Sequence, residues 1–203
     1  LLLAQDKTGY ENLMSLISEG YLLADGGDPA VAFDALTGRT EGLIALDGAG
    51  GSPLSRHLLD GSSMVETHLA AMKSLFDGRL YLELQRHGQS FERVLEPRVL
   101  KLATAHNLPI VATNDAHFST GDQFDAHDVL SCIAQGVTLS HRDRKRLTPE
   151  HYFKTSQDMT RLFSDLPEAV ENTWRIAQRC AVMPRLHDPI LPAFDDGSGE
   201  NEV

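Results

Sequence analysis

The chain has 203 residues and a formal net charge of −11, because 29 Asp and Glu residues outnumber 18 Lys and Arg residues. This acidic balance argues against a free-standing nucleic-acid-binding domain, since phosphate contacts require a basic surface. Apolar residues make up 41% of the chain, enough to bury a core, yet no stretch approaches the roughly 18 consecutive apolar residues of a membrane-spanning helix.

An apolar, strand-like run at 1–4 opens the chain and leads directly to a helix that Thr8 caps, with Glu11 as its partner in a capping box. An opening strand needs neighbours to pair with, so we expect the leading strands of this domain to be absent from the sequence. A buried strand is predicted at 43–46, where glycines bound an apolar run, and a glycine-rich turn follows at 48–53.

The rest of the chain alternates between helices and short apolar runs. Helices are predicted at 8–21, 62–76, 90–106, 122–134, 156–163 and 166–181. Pro97 lies inside the third of these helices and predicts a bend or a division there. Further strands are predicted at 80–84 and 109–113. Strands that alternate with helices indicate βαβ units, and therefore an α/β fold with a mostly parallel sheet.

Two segments lie at the carboxyl ends of predicted strands, where functional residues concentrate in α/β folds. Asp115 and His117 follow the strand at 109–113 and project the same way if the backbone is extended. A carboxylate and an imidazole that converge in this way are typical divalent-metal ligands. The alternative is a hydrogen-bonded strand end without a ligand. His87 ends the strand at 80–84 and is either a further ligand or a polar surface histidine.

Glu83 lies within a predicted strand and faces the opposite side from Leu82 and Leu84. It is expected either to form a structural ion pair, with Arg86 as the partner, or to contribute a further metal ligand. No residue of the chain is predicted to be catalytic.

Asp125 and His127 repeat the Asp-x-His pattern, but on a predicted helix. Residues two apart on a helix point about 200° apart, so this pair cannot share a metal ion. Either residue is expected to interact with the helix start or with the preceding loop. The remaining histidines have no ligand spacing and are assigned no role: His57, His68, His106, His141, His151 and His187.

The cysteines, the first residues and the basic run add three expectations. Cys132 and Cys180 have no framework spacing and are expected to be free thiols. The apolar run at 1–4 is too short for a signal peptide and lacks its basic flank, so a cytoplasmic protein is expected. The basic run at 141–146 is either a solvated loop or a patch that contacts DNA or a partner.

Several segments in order resemble the polymerase-and-histidinol-phosphatase (PHP) domain of bacterial DNA polymerase III alpha subunits. The resemblance rests first on 81–88 (Tyr-Leu-Glu-Leu-Gln-Arg-His-Gly) and 108–118 (Leu-Pro-Ile-Val-Ala-Thr-Asn-Asp-Ala-His-Phe). Other matching segments are 6–13, 41–46, 124–127 and 171–180. The resemblance implies a distorted (β/α)₇ TIM-like barrel that is incomplete at its N-terminal strands, with the later portion of the PHP domain at 1–183 and a linker toward the polymerase core at 184–203.

The resemblance also implies a metal site that is only partly present. Metal-binding members of the family hold a cluster of divalent ions at the barrel mouth, and their later ligands correspond to His87, Asp115 and His117. A cysteine ligand of the family corresponds to Ala49, which cannot coordinate a metal. The early His-x-His ligands are absent from this sequence. These losses imply that zinc or manganese binds weakly or not at all.

By the same resemblance, the parent chain is a magnesium-dependent, DNA-directed DNA polymerase whose catalytic carboxylates lie downstream. The PHP domain is then mainly a structural element that docks the proofreading exonuclease subunit, with DNA contacted through the parent polymerase and no membrane partner. The alternative function is an active metal-dependent phosphoesterase, such as a 3′-5′ exonuclease. A third alternative, which needs no family, is an α/β domain whose Asp/His pairs are only hydrogen-bonded strand ends.

Overall fold

Among the residues that the structure describes, the sheet has four strands, in the spatial order in which they occur along the chain. A computed structural model describes residues 1–24, 26–141, 144, 146–184 and 188. The strands are β1 (Leu2–Ala4), β2 (Leu43–Asp47), β3 (Leu80–Leu84) and β4 (Ile110–Ala112). Strands β2, β3 and β4 are parallel, whereas β1 pairs with β2 in the antiparallel direction. The predicted α/β class and mostly parallel sheet are therefore confirmed.

In the described part of the chain, seven α-helices connect and flank these strands. They are α1 (Lys7–Leu22), α2 (Pro53–Leu59), α3 (Met64–Leu75), α4 (Glu92–His106), α5 (Phe124–Gln135), α6 (Ser156–Leu162) and α7 (Pro167–Arg179). Helix α2 was not predicted, because the glycine-rich segment before it was read as a turn running to Pro53. Its start signal is nevertheless present in the sequence: Pro53 lies in the first turn, and the Ser52 side chain accepts a hydrogen bond from the Ser55 amide.

The predicted cap of α1 is wrong. Asp6 caps the helix, and its Oδ1 accepts a hydrogen bond from the Gly9 amide at 2.9 Å. Thr8 lies within the first turn, because an aspartate two residues earlier satisfies the free amides equally well. Glu11 pairs with Lys7 at 3.4 Å along the helix surface instead of completing a capping box.

Helix α4 is a single element that runs through Pro97, so the predicted division does not occur. Leu95 and Val99, on either side of the proline, are both buried in the same apolar core. Pro97 itself is exposed, and so is Arg93, whose carbonyl loses its helical partner at the proline. Water can therefore reach that carbonyl while core packing holds the two halves of the helix together.

Alternate strand residues form apolar cores on the two faces of the sheet. One face contributes Leu43, Leu80 and Leu82 to a large core that includes residues of α2, α3 and α4. The other face contributes Ile44, Tyr81 and Val111 to a smaller core that Ile176 of α7 completes. Because helices cover both faces of the sheet, a solvent-accessible site can form at the carboxyl ends of the parallel strands.

Two sequence predictions fall wholly or partly outside the described residues. Most of the predicted linker at 184–203 is not described, and neither are Arg142, Asp143 and Lys145 of the basic run. Cys132 is a buried free thiol, and Cys180 is a half-buried one, as predicted. Among the helices that the structure describes, none has the length and hydrophobicity needed to cross a lipid bilayer.

Candidate functional site: a histidine-lined cleft

A polar cleft of about 320 Å³ opens at the carboxyl ends of β3 and β4. Its walls include all three residues predicted as metal ligands, His87, Asp115 and His117. The other lining residues are Gly50, Gly51, Gln85, Gln89, Phe91, Glu92, Arg146, Leu147 and His151. The proposed convergence of the two strand ends on one pocket therefore occurs, because adjacent parallel strands end at the same edge of the sheet.

His87 leaves the end of β3 and is almost fully buried, with 3% of its surface exposed. Its backbone amide donates to both carboxylate oxygens of Glu92, at 3.0 and 2.9 Å, and its Nδ1 lies 3.2 Å from Glu92 Oε1. The Gln89 amide donates to the same carboxylate at 3.0 Å. Burial alone would raise the pKa of Glu92, but the hydrogen bonds from His87 and Gln89 outweigh it and lower that pKa.

Asp115 and His117 lie at the more open side of the cleft. Their side chains are 51% and 40% exposed, and His117 Nε2 lies 3.4 Å from Asp115 Oδ1. The two side chains therefore approach each other, as their spacing along an extended segment after β4 predicts. An exposed pair at this distance contributes little to stability, which leaves both groups free to contact a ligand.

His151 is the main cleft residue that the sequence did not reveal. The segment that carries it lies beside the segment after β4: the His117 amide donates to His151 O, and the Phe153 amide donates to Phe118 O, both at 2.8 Å. This pairing brings the His151 ring onto the His87 ring, with centroids 4.0 Å apart and planes 14° from parallel. No spacing rule connects residues that only tertiary pairing unites, so the sequence held no signal for it.

The basic run at 141–146 reaches the cleft through Arg146. Its side chain is 54% exposed, lies 3.3 Å from Asp128 and has its guanidinium 5.1 Å from the centre of the Phe124 ring. Arg144, in contrast, is buried in an ion pair with Asp128. The described part of this run is therefore anchored to α5 and is not simply a solvated loop.

Glu83 does not pair with Arg86, contrary to the structural ion pair that the sequence suggested. Glu83 is buried and accepts hydrogen bonds from the Thr113 hydroxyl and from Gln85 Nε2, at 3.2 Å in the latter case. Arg86 turns away to Glu96 and Asp165. The reason is geometric: Arg86 lies beyond the end of β3, where α4 and the turn after α6 offer two carboxylates at once.

Comparison with known proteins shows which proteins this chain is similar to. Residues 1–87 match the PHP domain. The whole chain is 43% identical to the DNA polymerase III subunit alpha of Caulobacter vibrioides (strain NA1000 / CB15N) and covers 18% of that protein. It is 39% identical over 98% of its length to the subunit of Escherichia coli (strain K12), and 38% identical over 96% to that of Rickettsia bellii (strain RML369-C). Over its whole length, the chain is similar to one region of DNA polymerase III alpha subunits.

The chain spans less than a fifth of the length of these alpha subunits, covering 18%, 18% and 17% of the three relatives. The PHP match ends at His87. Asp115, His117 and His151 therefore lie after the PHP match, in the region where the similarity is to DNA polymerase III alpha subunits only. The cleft draws its walls from both parts.

Similarity to the PHP domain and to DNA polymerase III alpha subunits suggests the use of divalent metal in general, but the cleft as arranged does not fit a metal cluster. Within the described ranges, no three His, Cys, Asp or Glu residues are grouped so as to hold a metal ion. Imidazole binds a metal along the lone pair in its ring plane, at about 2.0–2.1 Å. The His87 and His151 rings stack nearly parallel, so their lone pairs cannot meet at one ion.

Hydrogen bonds within the protein occupy the Nδ1 atom of both stacked histidines. His87 Nδ1 faces Glu92, and the Thr148 amide donates to His151 Nδ1 at 3.1 Å. The Thr148 hydroxyl donates to the His87 carbonyl at 2.6 Å and so ties the two histidine segments together. Among the described residues, no buried side-chain nitrogen or oxygen lacks a hydrogen-bond partner. The buried polar groups of the cleft are therefore paired within the protein.

A second polar pair near the strand ends was also missed by sequence reasoning. Asp47, the last residue of β2, is buried and lies 2.7 Å from His68 Nε2 on α3. Burial alone would raise the pKa of Asp47, but hydrogen bonds from His68 and Ser52, together with the charge of His68, lower it below its usual value. His68 thus binds a buried carboxylate, a structural role that the sequence analysis did not assign to it.

The stacked histidines predict a pH dependence of local stability. Burial lowers the pKa of His151, and the neighbouring His87 lowers it further. The unfolded chain takes up this proton near pH 6.5, about the ordinary histidine value, whereas the folded chain resists it until a lower pH. The folded state should therefore keep its full stability above about pH 6.5 and lose part of it as the pH falls.

This pH effect can be measured by amide hydrogen exchange of the peptide that covers 148–153 in the full-length subunit. Protection should fall, after correction for intrinsic exchange rates, between pH 7.5 and pH 5.5. His151→Gln should flatten this dependence, whereas His141→Gln, at an exposed position, should leave it unchanged. Protection in the unsubstituted protein that does not change over this range would contradict the account.

Proposed function

We propose that this chain is the PHP-containing part of a replicative, DNA-directed DNA polymerase that acts in the bacterial cytoplasm. The observation that carries the proposal is the similarity of the whole chain, at 36–43% identity, to DNA polymerase III alpha subunits. The polymerase carboxylates and their magnesium ions lie outside this sequence in the proposal, so DNA is contacted through the parent protein.

Primer extension by the full-length gene product tests the polymerase assignment. We expect template-directed, magnesium-dependent synthesis that survives Asp115→Ala, because the cleft is separate from the polymerase carboxylates in this proposal. A full-length product that folds but extends no primer would count against the assignment.

We further propose that residues 1–183 form the later portion of a distorted (β/α)₇ PHP barrel and that 184–203 form the linker toward the polymerase core. The two sheet edges support this arrangement. At one edge, Asn172 of α7 donates from Nδ2 to Ile110 O of β4 at 2.8 Å, so a helix covers that edge. At the other edge, the three-residue strand β1 pairs with β2 on one side. Its outer side is the place where earlier strands of a barrel would add.

For the cleft itself we propose a structural role, in which the PHP domain docks the proofreading exonuclease subunit without a complete metal site. The stacked His87 and His151 rings and the bonded Glu92 support this role, because they make the cleft rigid without an ion. A binding titration of the full-length alpha subunit against the exonuclease subunit tests the docking. We expect saturable, stoichiometric binding, and the absence of detectable affinity would contradict it.

The second candidate function is a metal-dependent phosphoesterase, in which His87, Asp115 and His117 bind zinc or manganese, with Glu83 as a further ligand. One observation favours it, namely that the first three residues line a single cleft. For this function His87 would bind the ion through Nε2, because its Nδ1 lies 3.2 Å from Glu92 Oε1. Metal content and hydrolysis separate the two candidates, and the structural role requires neither.

A further inference from the structure

Helix α5 is oriented with its apolar side away from the domain. It follows β4 through a short 3₁₀ turn at Gly121–Gln123 and ends at Gly136, whose φ of +65° is the left-handed conformation of a helix C-cap. Two residues of the helix are buried, Asp128 and Cys132. With 3.6 residues per turn, these two lie on one side of the helix, about 40° apart.

The inner side of α5 is held chiefly by an ion pair. The Asp128 carboxylate accepts hydrogen bonds from both terminal nitrogens of Arg144, at 2.7 Å from Nη2, and Arg146 Nε lies 3.3 Å from the same carboxylate. The Arg144 and Asp128 side chains are each 7% exposed. The hydrogen bond from Arg144 lowers the pKa of Asp128, which keeps the carboxylate charged. This ion pair thus anchors the helix to the domain, a role that an apolar face usually has in an amphipathic helix.

The outer side of α5 is an apolar stripe that faces solvent. Its large members are 42%, 64% and 71% exposed: Val129, Leu130 and Ile133. Ala126 and Ala134 are exposed as well and extend the stripe at both ends. With 3.6 residues per turn, the five positions cover an arc of about 140°, centred opposite Asp128 and Cys132.

An apolar stripe of this kind is typical of a surface that another element covers. Burial of exposed leucine and isoleucine side chains is favourable, so Leu130 and Ile133 together favour contact with another apolar surface. Isolated apolar residues on a surface need no explanation, but a contiguous stripe does. The spacing at 126, 129, 130, 133 and 134 is that of a helix packing against another apolar segment.

The charges around α5 describe its partner. The exposed Asp122 and Asp125 lie at the start of the helix, and the half-exposed Arg146 lies beside Phe124, within the basic run that follows the helix. A second copy of this chain is disfavoured as the partner, because each copy carries a net charge of −11 and the two would repel. The relatives, in contrast, are polypeptides of which this chain covers only 17–18%, so most of such a protein lies outside this sequence.

We propose that the outer face of α5 is the surface on which another part of the same polypeptide packs. This inference rests on the proposed function, in which the chain is a piece of a longer alpha subunit. The packed segment is expected to be amphipathic, with an apolar face for Leu130 and Ile133, a basic group for Asp125 and an acidic group for Arg146. Helix α5 then joins the PHP domain to the rest of the subunit.

Cysteine modification in the full-length subunit tests this inference. Ile133→Cys places a thiol in the stripe, and Gln135→Cys places one at an exposed position of the same helix, outside the stripe. Both variants are treated with a maleimide, and the modification of each introduced cysteine is followed by mass spectrometry. We expect the thiol at position 133 to react at least ten times more slowly than the thiol at position 135 in the folded subunit, and equally fast in urea.

The other outcomes overturn the inference. Equal reactivity of the two thiols in the folded subunit would show that nothing covers the stripe. Protection that appears only when the exonuclease subunit is added, or that rises with subunit concentration, would assign the stripe to a separate partner or to a second copy. Primer extension by the same two preparations is measured in parallel, so loss of the polymerase assignment is distinguished from loss of this docking face.

Discussion

Replacing Arg86 by leucine is expected to destabilise the region around the end of β3 by about 3 kcal/mol, since breaking a buried charge network leaves its partners unpaired. The Arg86 guanidinium bonds to Glu96 at 2.8 and 2.6 Å and to Asp165 at 2.7 and 2.8 Å. It also donates to Leu162 O at 2.7 Å and lies 4.6 Å from the centre of the buried Phe163 ring. One side chain therefore links β3, α4 and the turn between α6 and α7.

The size of this effect follows from the exposure of the three charged groups. The Arg86 and Glu96 side chains are 20% and 22% exposed, so removing the arginine leaves a partly desolvated carboxylate without a partner. Asp165 is 61% exposed and recovers most of its hydration, which places the cost at the lower end of the range for buried pairs. Lysine at position 86 keeps the charge but not the planar fork, and it should restore only part of the loss.

Hydrogen exchange of the peptides that cover 92–98 and 160–166, measured in the full-length subunit, reports the effect. The matched control is Arg161→Leu, which removes a 78% exposed arginine that lies 3.8 Å from Asp158. That control should change the opening free energy by no more than about 0.5 kcal/mol. If Arg86→Leu were as mild as the control, the three-way link would have no energetic role.

Alanine at position 9 is expected to disrupt the start of α1, although alanine is the best helix former. A Cβ atom on Gly9 would lie 1.9 Å from the carbonyl oxygen of Gly42. That carbonyl is fixed, because it accepts the Gln5 amide at 2.8 Å. Backbone meets backbone here, so no side-chain rotation relieves the clash, and we expect a cost on the order of 3 kcal/mol.

Thr8→Ala is the matched control for this substitution. Thr8 is exposed on the same turn, where alanine should be neutral or should stabilise the helix by a few tenths of a kcal/mol. Exchange of the peptide that covers 6–16, in the full-length subunit, measures both variants. Equal protection in Gly9→Ala and Thr8→Ala would show that α1 does not approach the Gly42 turn as closely as described.

The sequence was a good guide wherever local patterning decides the structure. The strand at 80–84 was predicted with its observed bounds, because an apolar run flanked by turn residues indicates a buried strand. Helices α6 and α7 were predicted to within about two residues at either end, the usual precision for helix boundaries. Asp115 and His117 were placed together for an equally local reason, the two-residue repeat of extended backbone.

Contacts between distant segments could not be read in the same way. His151 reaches His87 only through backbone pairing of 151–153 with 117–118, which leaves no repeat in the sequence. His68 meets Asp47 across 21 positions, and Arg86 meets Asp165 across 79. Each of these pairs depends on how segments distant in sequence pack together. Sequence periodicity identifies the face that packs, but not the residue that it meets.

We infer that the cleft is held together by its own hydrogen bonds and stacked rings, without a stoichiometric metal ion. Elemental analysis of the purified full-length subunit for zinc, manganese and iron tests this claim most directly. We expect well below one ion per subunit and the same content in Asp115→Ala. One or more ions per subunit, lost in Asp115→Ala together with phosphoester hydrolysis, would contradict the claim.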